Sequence, residues 1–215
     1  MFRTYSINQF VRVLLLAGAS ALAVACTQMP AQPSGMNYEP AWQARQQALS
    51  ALQTWDLTGR ISIQAGKEGW HAALRWNQRA GQYEIKLSSP LGQELVQLHG
   101  DENGVAMRSS DGEEHAVDAE TLLYKRLGWR IPLKGLRFWA LGLPDPGAPD
   151  LNPQDRELDA LGRLVRLRQS GWDIDFKRYT TVDGIYLPDK IFLNNRQTGT
   201  QFEVRLVVEK WQINP

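Results

Sequence analysis

The sequence predicts a mainly β chain with helices, an α+β fold built on a single strongly curved antiparallel sheet of about ten or eleven strands, with about three helices on its concave side. Apolar and polar residues alternate at period two through most of the chain. Turn residues punctuate those runs at hairpin spacing, and two segments in the middle switch to helical period with cap residues at their ends.

The first element is a short helix over residues 41–53, with Trp42, Leu49 and Leu52 on one stripe. The period then switches to two: Trp55, Leu57, Gly59, Ile61 and Ile63 alternate with Asp56, Thr58, Arg60, Ser62 and Gln64. Trp70, Ala72, Leu74 and Trp76 share a face in the next run, as do Tyr83, Ile85 and Leu87 in the third. Gly66, residues 79–81 and Pro90-Leu91-Gly92 separate these runs as turns between antiparallel neighbours would. Shorter strands over residues 95–98, 105–109 and 113–117 complete this half, with turn residues 101–104 between the first two.

Asp118 suits the N-cap of a helix ending near Leu127 and Gly128, and Pro132 suits the first turn of another that ends at Leu141 and Gly142. Residues 133–141 are apolar over more than one face, so that helix must be covered on several sides or cap an apolar hollow. A loop rich in Pro, Gly and Asp over residues 144–153 leads to strands over residues 163–169, 172–179, 190–193 and 202–208, with a hairpin turn at Ser170-Gly171. Parity places Ile61, Ile63, Leu74, Trp76, Ile85, Leu87, Phe202, Val204 and Leu206 on the inner face, where a solid core needs them as much as a cavity does. Eight tryptophans are a high number for one chain of this length, and from the residues alone they read as packing.

Residues 1–40 carry an address rather than a fold. Arg3 and Arg12 form a basic head, residues 13–25 are apolar or small, and Ala23-Val24-Ala25 precedes Cys26, the one cysteine of the chain. As a helix the apolar run would reach about 20 Å at about 1.5 Å per residue, short of a hydrocarbon core of about 30 Å. The pattern resembles the bacterial lipobox, although Ala23 stands where Leu is usual and Leu22 lies one place earlier. That resemblance implies a signal peptide over residues 1–25 and a lipidated Cys26. Thr27 in place of the Asp that retains such proteins at the inner membrane implies the outer membrane, facing the periplasm. Ala23-Val24-Ala25 also fits an ordinary cleavage site, which leaves a soluble exported protein as the alternative; an unpaired thiol in an oxidising compartment weighs against it. Pro30, Pro33, Gly35 and Pro40 make residues 26–40 a tether, and residues 41–215 fit one domain.

Removing residues 1–25 takes two of the 24 basic side chains and none of the 23 acidic ones, which leaves a formal charge near −1. Such a balance offers nothing to nucleic acid. Nucleophile-elbow, zinc-protease, phosphate-loop and dinucleotide motifs are absent, so no catalytic residue, metal site or cofactor is expected. His71, His99 and His115 fall on separate strands without metal-ligand spacing, and the acidic residues at 101–102 and 111–114 flank turns.

Taken in order, Cys26 with its Pro-rich tether, Trp55, Gly59-Arg60, Trp76, Ser89-Pro90-Leu91-Gly92, Ile131-Pro132-Leu133, Leu136-Arg137, Trp139 and Leu141-Gly142-Leu143-Pro144 resemble the LolB family of outer-membrane lipoprotein receptors. The resemblance implies an unclosed β-barrel of about 11 strands with a helical lid over an apolar cavity. That cavity would hold the acyl chains of lipoproteins received from the periplasmic carrier LolA, for insertion into the inner leaflet of the outer membrane. Leu136 and Trp139 then join the inner-face residues as its lining, and the protein acts as a monomer. Leu91, which in a turn would ordinarily fold back onto the core, becomes with Pro90 and Gly92 an exposed loop that acts at the membrane. A tethered envelope scaffold with a filled core, and a carrier of LolA type, remain the alternatives.

Overall fold

The computed structural model describes residues 37–129, 131–148, 152–195 and 202–214. Cys26, the signal segment and most of the expected tether lie outside the described residues. Helix α1 spans Glu39–Ser50, starting two residues earlier than expected because Pro40 sits in its first turn, where a missing N–H removes no helical bond. The Asn37 side chain accepts the Glu39 amide at 3.0 Å. Trp42 and Leu49 are buried, and Leu52, just past the helix, stays in the core.

Six strands follow, β1 (Thr54–Ala65), β2 (Glu68–Arg79), β3 (Gln82–Ser88), β4 (Glu94–Asp101), β5 (Gly104–Ser109) and β6 (Gly112–Ala116). Two helices come next, α2 (Ala119–Leu127) and α3 (Leu133–Ala140), and then β7 (Arg156–Leu158), β8 (Leu164–Gln169), β9 (Trp172–Val182), β10 (Ile185–Asn195) and β11 (Phe202–Ile213). All eleven strands form one antiparallel sheet in the order β6-β5-β4-β3-β2-β1-β11-β10-β9-β8-β7, which does not close, because β6 and β7 are its two edges. The segment carrying α2 and α3 connects those edges.

Two meanders therefore meet at one seam, where Ile61 pairs with Leu206 and Ile63 with Val204. The register shifts between Thr58 and Gly59. There β11 passes so close that a Cβ on Gly59 would lie 2.2 Å from the Val207 carbonyl oxygen, which accounts for a glycine inside an otherwise apolar face.

The helix caps follow from the chain. The Asp118 side chain accepts the Thr121 amide at 2.7 Å, and Gly128 takes the left-handed conformation with φ 70°. Pro132 lies one place before α3 instead of within its first turn, and its carbonyl accepts the Leu136 amide at 2.9 Å.

Tryptophans tie the layers together. Trp55 packs against Trp76 at 5.2 Å and Trp211 at 5.4 Å across the seam, and Trp139 meets Trp172 at 6.5 Å between α3 and β9. Arg60 points outward, as parity predicts, and pairs with Glu209 at 2.7 Å.

Candidate functional site

Beneath α2 and α3 the sheet leaves a small hollow with no charged side chain on its border. Ile61, Ile63, Leu74, Trp76, Ile85 and Leu87 form its sheet wall, and Leu136 reaches it from α3. These seven were legible as inner-face or lid residues. Leu98, Leu123, Trp129, Ile131 and Leu133 also border it. Leu123 lies in the central turn of α2, while Trp129 and Ile131 belong to a connection whose direction no periodicity reveals. Trp139, Phe202, Val204 and Leu206 do not border this hollow. Trp139, Val204 and Leu206 fill solid core nearer the C-terminal half, and the half-buried Phe202 packs against it, edge-on to Trp172 at 5.9 Å.

The hollow measures about 40 Å³. That is little more than one water molecule's share of liquid volume, about 30 Å³. A long acyl chain fits only if the helices lift from the sheet or the side chains between them rearrange.

The two helices are held in different ways. Trp139 of α3 donates its indole N–H to Oε1 of Gln169 at 2.9 Å, and the same oxygen accepts the Asp145 amide at 2.8 Å. Nε2 of Gln169 donates to the Asp145 carbonyl at 3.0 Å. Both Trp139 and Gln169 are buried, so α3 and the loop after it are fixed to the end of β8 by hydrogen bonds shielded from water. Helix α2 is latched at the surface instead. Lys125 pairs with Glu114 of β6 at 2.8 Å, and Arg126 pairs with Glu114 and, at 3.4 Å, with Asp111. The Lys125 hydrogen bond, with the Arg126 charge beside it, holds the Glu114 carboxyl below its ordinary pKa. Exposed pairs of this kind contribute little each and are weakened by salt.

The loop between β3 and β4 presents Leu91 with 97% of its surface exposed, so the side chain does not fold back. The Ser89 amide donates to the Gln93 carbonyl at 2.8 Å, the Gly92 amide to the Ser89 carbonyl at 2.9 Å, and the Gln93 amide to Ser89 Oγ at 3.2 Å. Gly92 has φ 85°, which suits glycine. The loop is thus braced by its own backbone with Leu91 at the tip. Trp70 and Trp129, 4.8 Å apart, lie at the same end of the sheet, and Trp129 borders the hollow there.

A sequence profile described as "Outer membrane lipoprotein LolB" matches residues 53–211, which take in the sheet with α2 and α3. The chain belongs to the LolB family. An outer-membrane lipoprotein LolB from Nitrosococcus oceani is 41% identical over 203 residues, covering 94% of this chain and 94% of the relative. Another from Pseudomonas aeruginosa (strain LESB58) is 36% identical over 205 residues, covering 94% and 96%. Among solved structures, a DUF1329 family protein from Desulfovibrio piger superposes with a TM-score of 0.51 at 9% identity, over 81% of this chain and 92% of that one. A LolA superfamily protein from Nitrosomonas europaea gives 0.50 at 6% identity, over 84% and 95%. These two likenesses concern the fold alone. Membership of the LolB family makes the chain an outer-membrane lipoprotein, a receptor in lipoprotein sorting and not an enzyme. Among the described residues, its unclosed sheet with three α-helices is the architecture the sequence predicts.

Proposed function

We propose that this LolB family member accepts acylated lipoproteins from a periplasmic carrier of LolA type, shelters their acyl chains beneath α2 and α3, and passes them to the inner leaflet of the outer membrane. The observation that carries this reading is the wholly apolar border of the hollow, contributed on one side by the sheet and on the other by helices that bridge an open gap. Acyl chains in water cost about 0.8 kcal/mol for each exposed methylene, so a transfer route needs an apolar container at each stage. Lifting the lid would enlarge this one without exposing a charged group to hydrocarbon. No nucleotide is required where each acceptor binds the chains more favourably than its donor.

In this reading Cys26 carries the lipid anchor, residues 26–40 tether a monomeric domain on the periplasmic side, and Pro90, Leu91 and Gly92 form the loop that meets the membrane. The inner-face set predicted from sequence, including Trp139, Phe202, Val204 and Leu206, would line the container once it opens. The test uses mature chain with Cys26→Ser. It should bind a fluorescent fatty-acyl probe saturably and take an acylated lipoprotein from its carrier in the absence of nucleotide.

The small volume of the hollow favours a second reading, an envelope scaffold with a filled core. Absence of saturable probe binding selects that scaffold.

A further inference from the structure

A larger opening adjoins the hollow. A cleft of about 630 Å³ lies between the start of α2, one side of α3 and the turns that end β2 and β4, and it shares Trp76 and Leu133 with the hollow. Its size is that of a ligand site. It faces away from Leu91: the cleft holds Gly81 and Tyr83 at the start of β3, whereas Leu91 follows the end of that strand. Seven residues at about 3.3 Å each put the two ends roughly 20 Å apart.

The chemistry of the cleft differs from that of the hollow. Lys134 and Arg137 stand three apart on α3, and Glu120 lies in the first turn of α2. Among the described residues none of these side chains makes a hydrogen bond or ion pair, nor does the Tyr83 hydroxyl. Burial raises the Glu120 carboxyl above its ordinary pKa, lowers the Arg137 guanidinium and pushes the Tyr83 hydroxyl up to about 12. The Tyr83 ring rests on Gly100, where a Cβ would lie 2.3 Å from it, so this wall is fixed by the strand pairing. The half-buried Arg137 guanidinium and Glu120 carboxyl, with the exposed Lys134 ammonium at the rim, are thus left without a hydrogen-bond partner beside the apolar hollow, in a cleft that Asp101, Glu102, Asp118 and Asp145 also line.

We infer that the cleft holds the first residues of the cargo polypeptide after its acylated cysteine, in extended form, while the acyl chains occupy the hollow; the inference rests on the acyl-chain reading above. The peptide is covalently joined to those chains and must emerge where they enter. An extended backbone offers carbonyls to Lys134 and Arg137 and amides to Glu120, and at the half-buried Arg137 and Glu120 this recovers hydrogen bonds that burial otherwise forfeits. A hydrocarbon chain offers neither. With the cargo seated at this end it need not pass the Trp70–Trp129 contact at the other.

The test compares two probes on the mature chain, triacylated cysteine methyl ester and triacylated cysteine followed by a neutral pentapeptide. The parent should bind the peptide probe at least tenfold more tightly. Gly81→Trp fills the cleft, since nothing lies within 4 Å of a Cβ there. This variant should keep the parent's thermal midpoint and its affinity for the methyl ester, and lose the tenfold preference. Arg137→Gln should reduce that preference in the same direction. Equal binding of both probes by the parent overturns this inference alone, as does a Gly81→Trp protein that loses both probes equally. A Gly81→Trp protein with unchanged affinities that no longer accepts cargo from the carrier assigns the cleft to the carrier, and the inference is then wrong. Binding of neither probe brings down the acyl-chain reading and this inference with it.

Discussion

The indole of Trp139 and the side-chain oxygen of Gln169, thirty residues apart in the chain, meet at 2.9 Å inside the core. Because Gln169 also bonds both backbone groups of Asp145, one side chain holds α3 and its exit loop against β8. Gln169→Leu should strand a buried indole N–H and a backbone amide. A loss of about 1–3 kcal/mol in urea unfolding, with an unchanged m-value, is expected. A variant as stable as the parent would show that α3 is held by packing alone.

The α2 latch predicts a pH dependence with a definite sign. Glu114 has its folded pKa depressed, so it binds protons less readily in the folded chain than in the unfolded one. The stabilisation is therefore complete above the ordinary value of 4.5 and is lost as pH falls through the depressed one. Hydrogen exchange of the α2 amides should be faster in Glu114→Gln than in the parent at pH 7, with α3 unaffected. The gap between the two proteins should close in 1 M salt, and also well below pH 4.5. Equal exchange at pH 7 would leave the latch without a role.

Leu91 offers a separation of stability from delivery. Its side chain is exposed, so Leu91→Glu should leave the unfolding free energy within about 0.5 kcal/mol of the parent's. The variant should still take lipoprotein from the carrier and fail to release it into liposomes, because a charge resists entry into the acyl boundary. Normal release into liposomes would remove the loop from the mechanism.

Gly59 tests the seam between the meanders. Gly59→Ala places a methyl group against the Val207 carbonyl, and β1 must move off β11 to admit it. Destabilisation of about 1–3 kcal/mol is expected from such overpacking, measured by chemical unfolding. Gly81→Ala, in open space, serves as the matched control and should be near neutral.

Strict alternation made β1, β2, β3 and β11 readable, because each carries large apolar side chains on one face and polar ones on the other. Strand β7 was not readable: Arg156, Glu157 and Leu158 are too few to show a period. The first half of β10 was hidden by Pro188. A register shift beside it spares the sheet a missing donor there, and its carbonyl accepts the Trp211 indole at 2.9 Å. The sheet wall of the hollow was legible from parity, and Leu136 only through the family resemblance. Which apolar residues leave space and which fill it depends on how closely α3 approaches, and Gln169 sets that approach from thirty residues away. The cleft residues Glu120, Lys134 and Arg137 look in sequence like an ordinary charged helix surface, and only the fold places them around one cleft.

Strand β11 is the last of the eleven and yet lies in the interior of the sheet, flanked by β1 and β10. Every other neighbouring pair except this seam joins strands consecutive in sequence, so the two meanders can form early and separately while their union waits. A chain that emerges N-terminus first therefore remains two open half-sheets until residues near Ile213 arrive. Proteases and chaperones would meet the protein in that unfinished form, and a cut that removes β11 would part the molecule down its middle instead of trimming an end.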